Sequence, residues 1–254
     1  MAIAARALTE RTIERPPGRG SSARLEVRLM GRFRLSTGPK ALVLPTSATR
    51  VVAFLALHPS PHGRSHVAGQ LWPDVTEQRA RANLRNAVWK ANIAADGLVE
   101  GNAETVRLGP DVEVDVARLR ATAHELLHGS QPLETVTSAD PFAEEMLLGW
   151  DDDWALFERE RMKQLCLHAL EMLSVLHLEA GKPASAIDAA LLAVKLEPLR
   201  ESAHRAISKA HLAEGNAAQA RRQFDLYRQL LHRELGIPPS VEYHKLIGVG
   251  PPLS

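Results

Sequence analysis

The sequence predicts a mainly α protein with a small β part: an N-terminal winged helix-turn-helix followed by an all-α, tetratricopeptide-like domain. Three observations carry that expectation. A helical stretch with one apolar and one cationic face, Thr76 to Ala95, lies between two sets of strand-like alternation. A short motif in the C-terminal half recurs at an offset of 34 residues. Charge also divides along the chain: residues 1–95 carry 15 Lys and Arg against 5 Asp and Glu, whereas residues 96–254 carry 16 against 25. A basic first part joined to an acidic second part suggests that nucleic acid meets the former.

The 254 residues leave room for two domains with separate cores, and 45% hydrophobic with 24% charged residues describe a soluble globular chain. Few aromatics and many Ala, Leu and Arg favour helix. The single cysteine, Cys166, has no internal disulfide partner, which suits a reducing cytoplasm and a buried thiol. The longest apolar run, Val51 to Leu57, is too short to span a bilayer, and Arg6 interrupts the apolar start before a signal-peptide core forms. A cytoplasmic, nucleoid-associated protein without a membrane segment is expected.

Residues 1–23 hold Pro16-Pro17-Gly18 and Gly20-Ser21-Ser22 without buried periodicity and read as a disordered basic tail. Leu25, Val27 and Leu29 alternate with Arg24, Glu26 and Arg28, the mark of a half-buried strand. Phe33 and Leu35 continue it, Thr37-Gly38-Pro39 turns, and Ala41 to Leu44 returns, giving a small antiparallel sheet. Thr46 or Ser47 is placed to cap a helix through about His58, with Val51, Val52, Phe54, Leu55 and Leu57 inside; Pro59 and Pro61 stop it. Ser65 is expected to cap a short helix from His66 to Leu71, ended by Trp72-Pro73-Asp74.

The third helix follows Thr76, a potential N-cap. At 100° per residue, Ala80, Leu84, Ala87, Val88, Ala91 and Ala95 share one face. Arg79, Asn83, Asn86, Trp89 and Lys90 share the opposite one, with Arg81 and Arg85 on the flanks. That outer face has donors and cations but almost no acceptors, whereas a helix facing only water more often mixes Glu with Lys. Asn and Arg pair bidentately with base edges, and Lys and Arg also meet phosphates, so a DNA recognition helix is read here. The outward wheel position of Trp89 leaves two options, an indole against DNA or one packed on the wing or first helix.

Leu98-Val99-Glu100, a turn at Gly101-Asn102, Thr105 to Leu108 and Val112 to Val114 predict a hairpin-like wing. Sheet, three helices and hairpin in that order make a winged helix-turn-helix over residues 24–115, with the third helix in the groove and the wing on the backbone. Ser65, His66 and Thr76 are then placed to meet phosphate at helix N-termini, and Arg107 to reach the neighbouring backbone or minor groove.

Residues 116–247 form the second domain, with a tail at 248–254. Asp115 is expected to cap a helix from Val116 to Leu127, and residues 129–149 read as a loose connector. Trp150-Asp151-Asp152-Asp153-Trp154 opens the second half, and helical periodicity then runs to Leu235. Within it His177-Leu178-Glu179-Ala180-Gly181 recurs as His211-Leu212-Ala213-Glu214-Gly215, and Ala186 maps to Ala220. Such a period, with Gly at the turn, is the tetratricopeptide signature of stacked helix pairs suited to protein contacts. A degenerate further copy is expected within Trp154 to Cys166, and a closing helix at Ser240 to Ile247.

Five strings in this order resemble the actinobacterial antibiotic-regulatory-protein (SARP) class of transcription activators. They are Gln70-Leu71-Trp72-Pro73-Asp74, Arg81 to Trp89, Asp153 to Arg161, Glu197 to His204 and Arg233 to Ser240. The resemblance covers about Arg24 to Ile247. It implies a response-regulator-type winged helix joined to a bacterial transcriptional activation domain of tetratricopeptide-like helices. It further implies binding of double-stranded promoter DNA at direct repeats near the −35 region, by two protomers side by side. RNA polymerase and its sigma factor are the implied partners, and a secondary-metabolite gene cluster the implied target. Larger relatives append an ATPase and sensor domain, so this chain resembles the small, single-module kind. Where relatives often carry Leu-Arg-Arg after the tryptophan, this chain has Ala91-Asn92-Ile93, and phosphate contacts are not carried over to that end.

Other chemistry finds little support. His58, His62 and His66 are separated by Pro59, Pro61 and Gly63, which prevent a regular helix, so a solvated loop is expected instead of a metal site. Gly38-Pro39-Lys40 lacks phosphate-loop spacing, and no nucleophile elbow occurs. Cys166 and His168, two apart on a helix, do not face each other, and Asp151 to Asp153 read as cap and connector. No catalytic residue, metal or cofactor is expected. The alternative reading from another class is a repeat-type protein-interaction scaffold whose basic domain binds nucleic acid weakly and without sequence preference.

Overall fold

The computed structural model describes residues 24–129 and 138–248, so the expected tails at 1–23 and beyond 248, and part of the expected connector, lie outside the described residues. Strands β1 (Leu25–Arg28), β2 (Arg34–Thr37) and β3 (Lys40–Leu42) form the antiparallel meander that the alternation predicts, with Val27 opposite Leu35 and Leu35 opposite Leu42. Val27 and Leu35 are both buried, so one face of the sheet closes the core.

Helices α1 (Thr46–Leu57), α2 (Arg64–Leu71) and α3 (Glu77–Ala94) follow. Every residue of α1 from Val51 to Leu57 is buried, a continuous apolar run that no amphipathic helix would carry; α1 is the central post of the domain. The expected hydroxyl caps are absent. Pro45 and Gly63 precede α1 and α2, which moves Thr46, Ser47 and Ser65 inside the first turns; Thr76 does precede α3 but offers no side-chain bond.

The wing also departs from expectation. Strands β5 (Val99–Gly101) and β6 (Thr105–Leu108) pair as a hairpin, but the third strand on β6 is β4 (His62–Gly63), from the segment read as a loop. Strand β7 (Glu113–Val114) leaves the wing and adds parallel to the free edge of β1, opposite Glu26 and Val27. One long-range pairing thus ties the two ends of the domain together, an outcome that local turn chemistry cannot foretell.

The pairing of β4 with β6 draws in the three histidines. Their rings form a chain, His58 to His62 at 5.6 Å and His62 to His66 at 6.1 Å, laid against Phe54, not a solvated loop. His62 is held below the usual imidazole pKa by burial first, then by its neighbours His58 and His66.

Helix α4 (Asp115–Leu127) starts one residue earlier than expected. Asp115 is its first residue, and the carboxylate accepts from Leu29 N and Met30 N at 2.9 Å each and from Val116 N at 2.7 Å, fastening α4 to the end of β1. The described end of the connector is also built into the core. A 3-10 turn over Asp140–Ala143 buries Phe142, and Met146 bridges Met30. Leu147 next to it is buried with φ 51°, a left-handed conformation that costs a branched residue about 1–2 kcal/mol. Arg159 holds it there, donating to Met146 O at 2.9 Å, Leu147 O at 2.6 Å and Trp150 O at 2.8 Å.

Helices α5 (Asp153–Glu179), α6 (Pro183–Leu196), α7 (Glu201–Ala213), α8 (Ala217–Leu235) and α9 (Val241–Ile247) complete the described chain. The 34-residue offset reappears as bonding: Ser174 Oγ donates to Ala186 O at 2.8 Å, and Ser208 Oγ to Ala220 O at 3.2 Å. Gly181 and Gly215 turn the two helix pairs at φ 69° and 77°, a conformation that costs glycine least. Trp154 to Cys166, expected as a further copy, is instead the first half of the unbroken helix α5; with Gly and Pro absent from it, nothing interrupts the helix. Helix α9 closes the far end as expected, with Ser240 Oγ accepting from Tyr243 N at 3.2 Å.

Two measurements check these contacts. Arg159→Ala removes three bonds to carbonyls, of which Leu147 O keeps another donor, Trp150 N at 3.1 Å, and should cost about 2–4 kcal/mol in urea unfolding. His62 binds its proton less tightly folded than unfolded, so its contribution is complete above pH 6.5 and is lost as pH falls below that value. His62→Gln should therefore flatten the decline in stability on the acid side of pH 6.5, read as thermal midpoint against pH.

Candidate nucleic-acid interface

Helix α3 owes its orientation to its inner face. Ala80, Leu84, Ala87 and Ala91 are buried at 0–1% exposure against α1 and α2, and their small size lets the backbones approach closely. Val88 is half-buried at the edge. With that stripe fixed, the outer residues have no freedom to turn inward. Arg79, Arg81, Arg85, Asn86, Trp89 and Lys90 are exposed, and Asn83 is half-buried.

Trp89 is 63% exposed, which excludes the packed option, and Ile93 one turn later is 65% exposed. Arg81 lies 3.8 Å from Glu77, a weak surface pair. Arg79, Arg85 and Lys90 form no ion pair among the described residues. Three cations without ion-pair partners among the described residues, Arg79 and Lys90 on the outer face and Arg85 on its flank, make a local positive field, and their charge is available to an outside anion.

The wing stands beside this face because Asn92 clamps it. Its amide donates to Val99 O at 2.8 Å and its carbonyl accepts from Val99 N at 2.9 Å, so a residue read as a lost phosphate contact is instead a joint. At the wing tip Asn102 Oδ1 accepts from Glu104 N and Thr105 N at 2.8 Å each. A Cβ on Gly101 would stand 2.4 Å from Thr105 O, so the hairpin closes only around glycine there. Arg107 is bound to Glu100 at 2.9 Å across the hairpin, which offsets the charge expected to reach the backbone.

Between α3 and the wing tip runs an open groove of about 780 Å³, lined by Gln78, Arg81, Arg85, Asn102 and Arg64. Sequence reasoning missed Arg64 and Gln78. Arg64 begins α2 and donates through Nε to Asn102 O at 2.7 Å, a position visible only once β4 joins the wing. Ser65, His66 and Thr76 are exposed at the starts of α2 and α3, where the first N–H groups of each helix lack intrahelical acceptors. The groove therefore offers convergent guanidinium and amide donors, with one carboxylate, Glu77, beside Arg81, a set that matches phosphate and base edges. Among the described residues no group of acidic, His or Cys side chains is arranged to hold a metal.

A three-helix winged unit with a cationic outer helix thus stands in front of a set of paired helices. The family described as bacterial transcriptional activator domain matches residues 114–248, more than half of the chain, and the chain belongs to it. Together with the winged helix in front, the architecture is that of a SARP-type regulator. The fold is similar to that of Mycobacterium tuberculosis EmbR, solved in complex with a low affinity phosphopeptide, at a TM-score of 0.66 and 19% identity. That likeness covers 89% of this chain and 64% of the EmbR chain. No curated protein sequence matches the chain. No helix among the described residues is long and apolar enough to cross a membrane.

Asn92→Ala should release the wing from α3. It removes a reciprocal pair of bonds and should cost about 1–2 kcal/mol, with amide exchange at Val99 accelerating more than exchange in α1.

Proposed function

We propose that the chain is a sequence-specific DNA-binding transcriptional activator. In this reading α3 enters the major groove with Arg79, Asn83, Asn86 and Lys90 toward the bases, and Arg81 and Arg85 toward bases or phosphates on its flanks. Trp89 lies against sugar or a thymine methyl. Ser65, His66, Thr76 and Arg64 meet phosphate, and the wing rests on the neighbouring backbone. The observation that carries the reading is the acceptor-poor outer face of α3, whose Arg79, Arg85 and Lys90 have no ion-pair partner among the described residues. Arg107 contributes less than its position suggests, because Glu100 already holds it.

The helical half, in the same reading, recruits RNA polymerase and its sigma factor through stacked tetratricopeptide-like pairs. Two protomers sit side by side on direct repeats near the −35 region of promoters, within the cytoplasm, and the controlled genes belong to a secondary-metabolite cluster. Family membership supports the activator role. Footprinting on promoters near the chain's own gene tests site, spacing and stoichiometry together.

Band-shift titration at two salt concentrations separates base reading from charge. Asn86→Ala should cost about 1–3 kcal/mol on the specific site and relax base preference, while Lys90→Ala should weaken all sequences alike and lower the salt slope by about 1. Equal losses on specific and scrambled duplexes for Asn86→Ala would remove it from the base-reading set. Specific binding that fails to exceed non-specific binding by about a thousandfold would favour a scaffold with a weak nucleic-acid tether.

A further inference from the structure

A cleft of about 460 Å³ opens where the 3-10 turn, α5 and the C-terminal end of α6 meet. That volume falls in the range of small-molecule sites. Its floor is soft and apolar: Met146, Met162 and Cys166 are each 1–2% exposed, and Leu156 from α5 and Leu196 from α6 supply the walls. The charges at its rim cancel. Arg28 takes Glu144 at 2.7 Å, Arg159 takes Glu145 at 3.3 Å, and Glu197 takes Lys163 at 2.5 Å. Glu160 and Lys195 remain, opposite in sign, and Glu160 already accepts from Gln164. A charged guest would leave water for a rim whose two ions without ion-pair partners among the described residues, Glu160 and Lys195, are opposite in sign and favour neither charge, whereas an uncharged one would settle on the apolar floor and leave the paired rim intact.

The back wall of the cleft is the strained segment. Met146 faces the cleft, while its backbone bridges Met30, Leu147 N donates to Leu29 O at 2.8 Å, and Leu148 N donates to Gly31 O at 2.8 Å. Leu147 between them holds φ 51°. Strain of this kind concentrates at ligand clamps and switches, and here it joins the cleft to residues 29–31, directly after strand β1 of the winged unit.

We propose that this cleft binds an uncharged, largely apolar small molecule, on the order of 15–20 non-hydrogen atoms, and that its occupancy bears on the joint between the helical domain and β1. The proposal does not depend on the DNA reading.

Titration of the full chain with the neutral fluorophore N-phenyl-1-naphthylamine tests it. The expected result is saturable uptake of one probe per chain, displaced by 1-octanol, with octanoate and octylammonium at least tenfold weaker competitors. Leu156→Trp and Leu196→Trp, filling the cleft from separate helices, should each weaken uptake at least tenfold; folding is checked by circular dichroism. Leu226→Trp, on the exposed surface of α8, should leave uptake unchanged. Amide exchange at Leu147 and Leu148 should slow when probe binds. Absence of saturable uptake, uptake indifferent to both wall variants, or loss in Leu226→Trp would overturn the site. Competition by either charged octyl compound equal to that of octanol would overturn the uncharged class.

Discussion

Burial of the Ala80, Leu84, Ala87 and Ala91 stripe against α1 and α2 is the constraint on which the candidate interface depends. Three of the four residues are alanine, so the helix lies close to its neighbours and has little room to roll. A roll of even one side-chain position would turn Arg79 or Asn86 toward the buried faces of α1 and α2, at a desolvation cost of several kcal/mol, a large share of what holds a domain folded. The cations face outward because the apolar stripe leaves them nowhere else. Charge alone would not have oriented them, since exposed ion pairs are worth little.

The two halves are not beads on a string. One hydrophobic cluster runs from Val27 through α1 to α3 and on into α5 and α6. Trp154 meets Phe54 edge-on at 5.5 Å, and Arg50 pairs with Asp152. Glu158, almost wholly buried, is held by Arg120 at 3.0 Å and Arg161 at 2.7 Å, with His58 at 3.9 Å. A carboxylate in that position is tolerable only with such partners, so the pairing specifies how the helical domain sits on the end of α1. The winged unit and the helical half therefore share one close-packed core.

Within the helical half, repetition of sequence becomes repetition of bonding. Ser174 and Ser208 each reach the carbonyl of the alanine twelve residues on, and Gly181 and Gly215 each make the turn that permits it. Each pair buries its apolar face on the next, and α9 covers the last one with Tyr243, packed on Phe224 at 5.0 Å.

Periodicity determined the elements that are local. The alternation of Leu25 to Leu29, the apolar run of α1, both faces of α3 and the 34-residue offset were legible because each is written into neighbouring residues. The outward set on α3 was legible for the same reason, but the wheel left Trp89 two options, and only the folded domain shows it exposed. Pairings between distant residues were not. Glu113–Val114 joining β1, His62–Gly63 joining the wing, and Arg64 reaching Asn102 depend on which free edge is nearest once the core has collapsed. Asn92 looked like a missing phosphate contact, and Leu147 like part of a connector, because a clamp and a strained turn are defined by partners far along the chain. The sequence by itself thus determined which surfaces are apolar, cationic or repeated, since side-chain chemistry and helical or strand period are properties of short segments. Only the tertiary structure decided which edges pair, which residue closes the wing and where a cleft opens, since those depend on distances that exist only after folding.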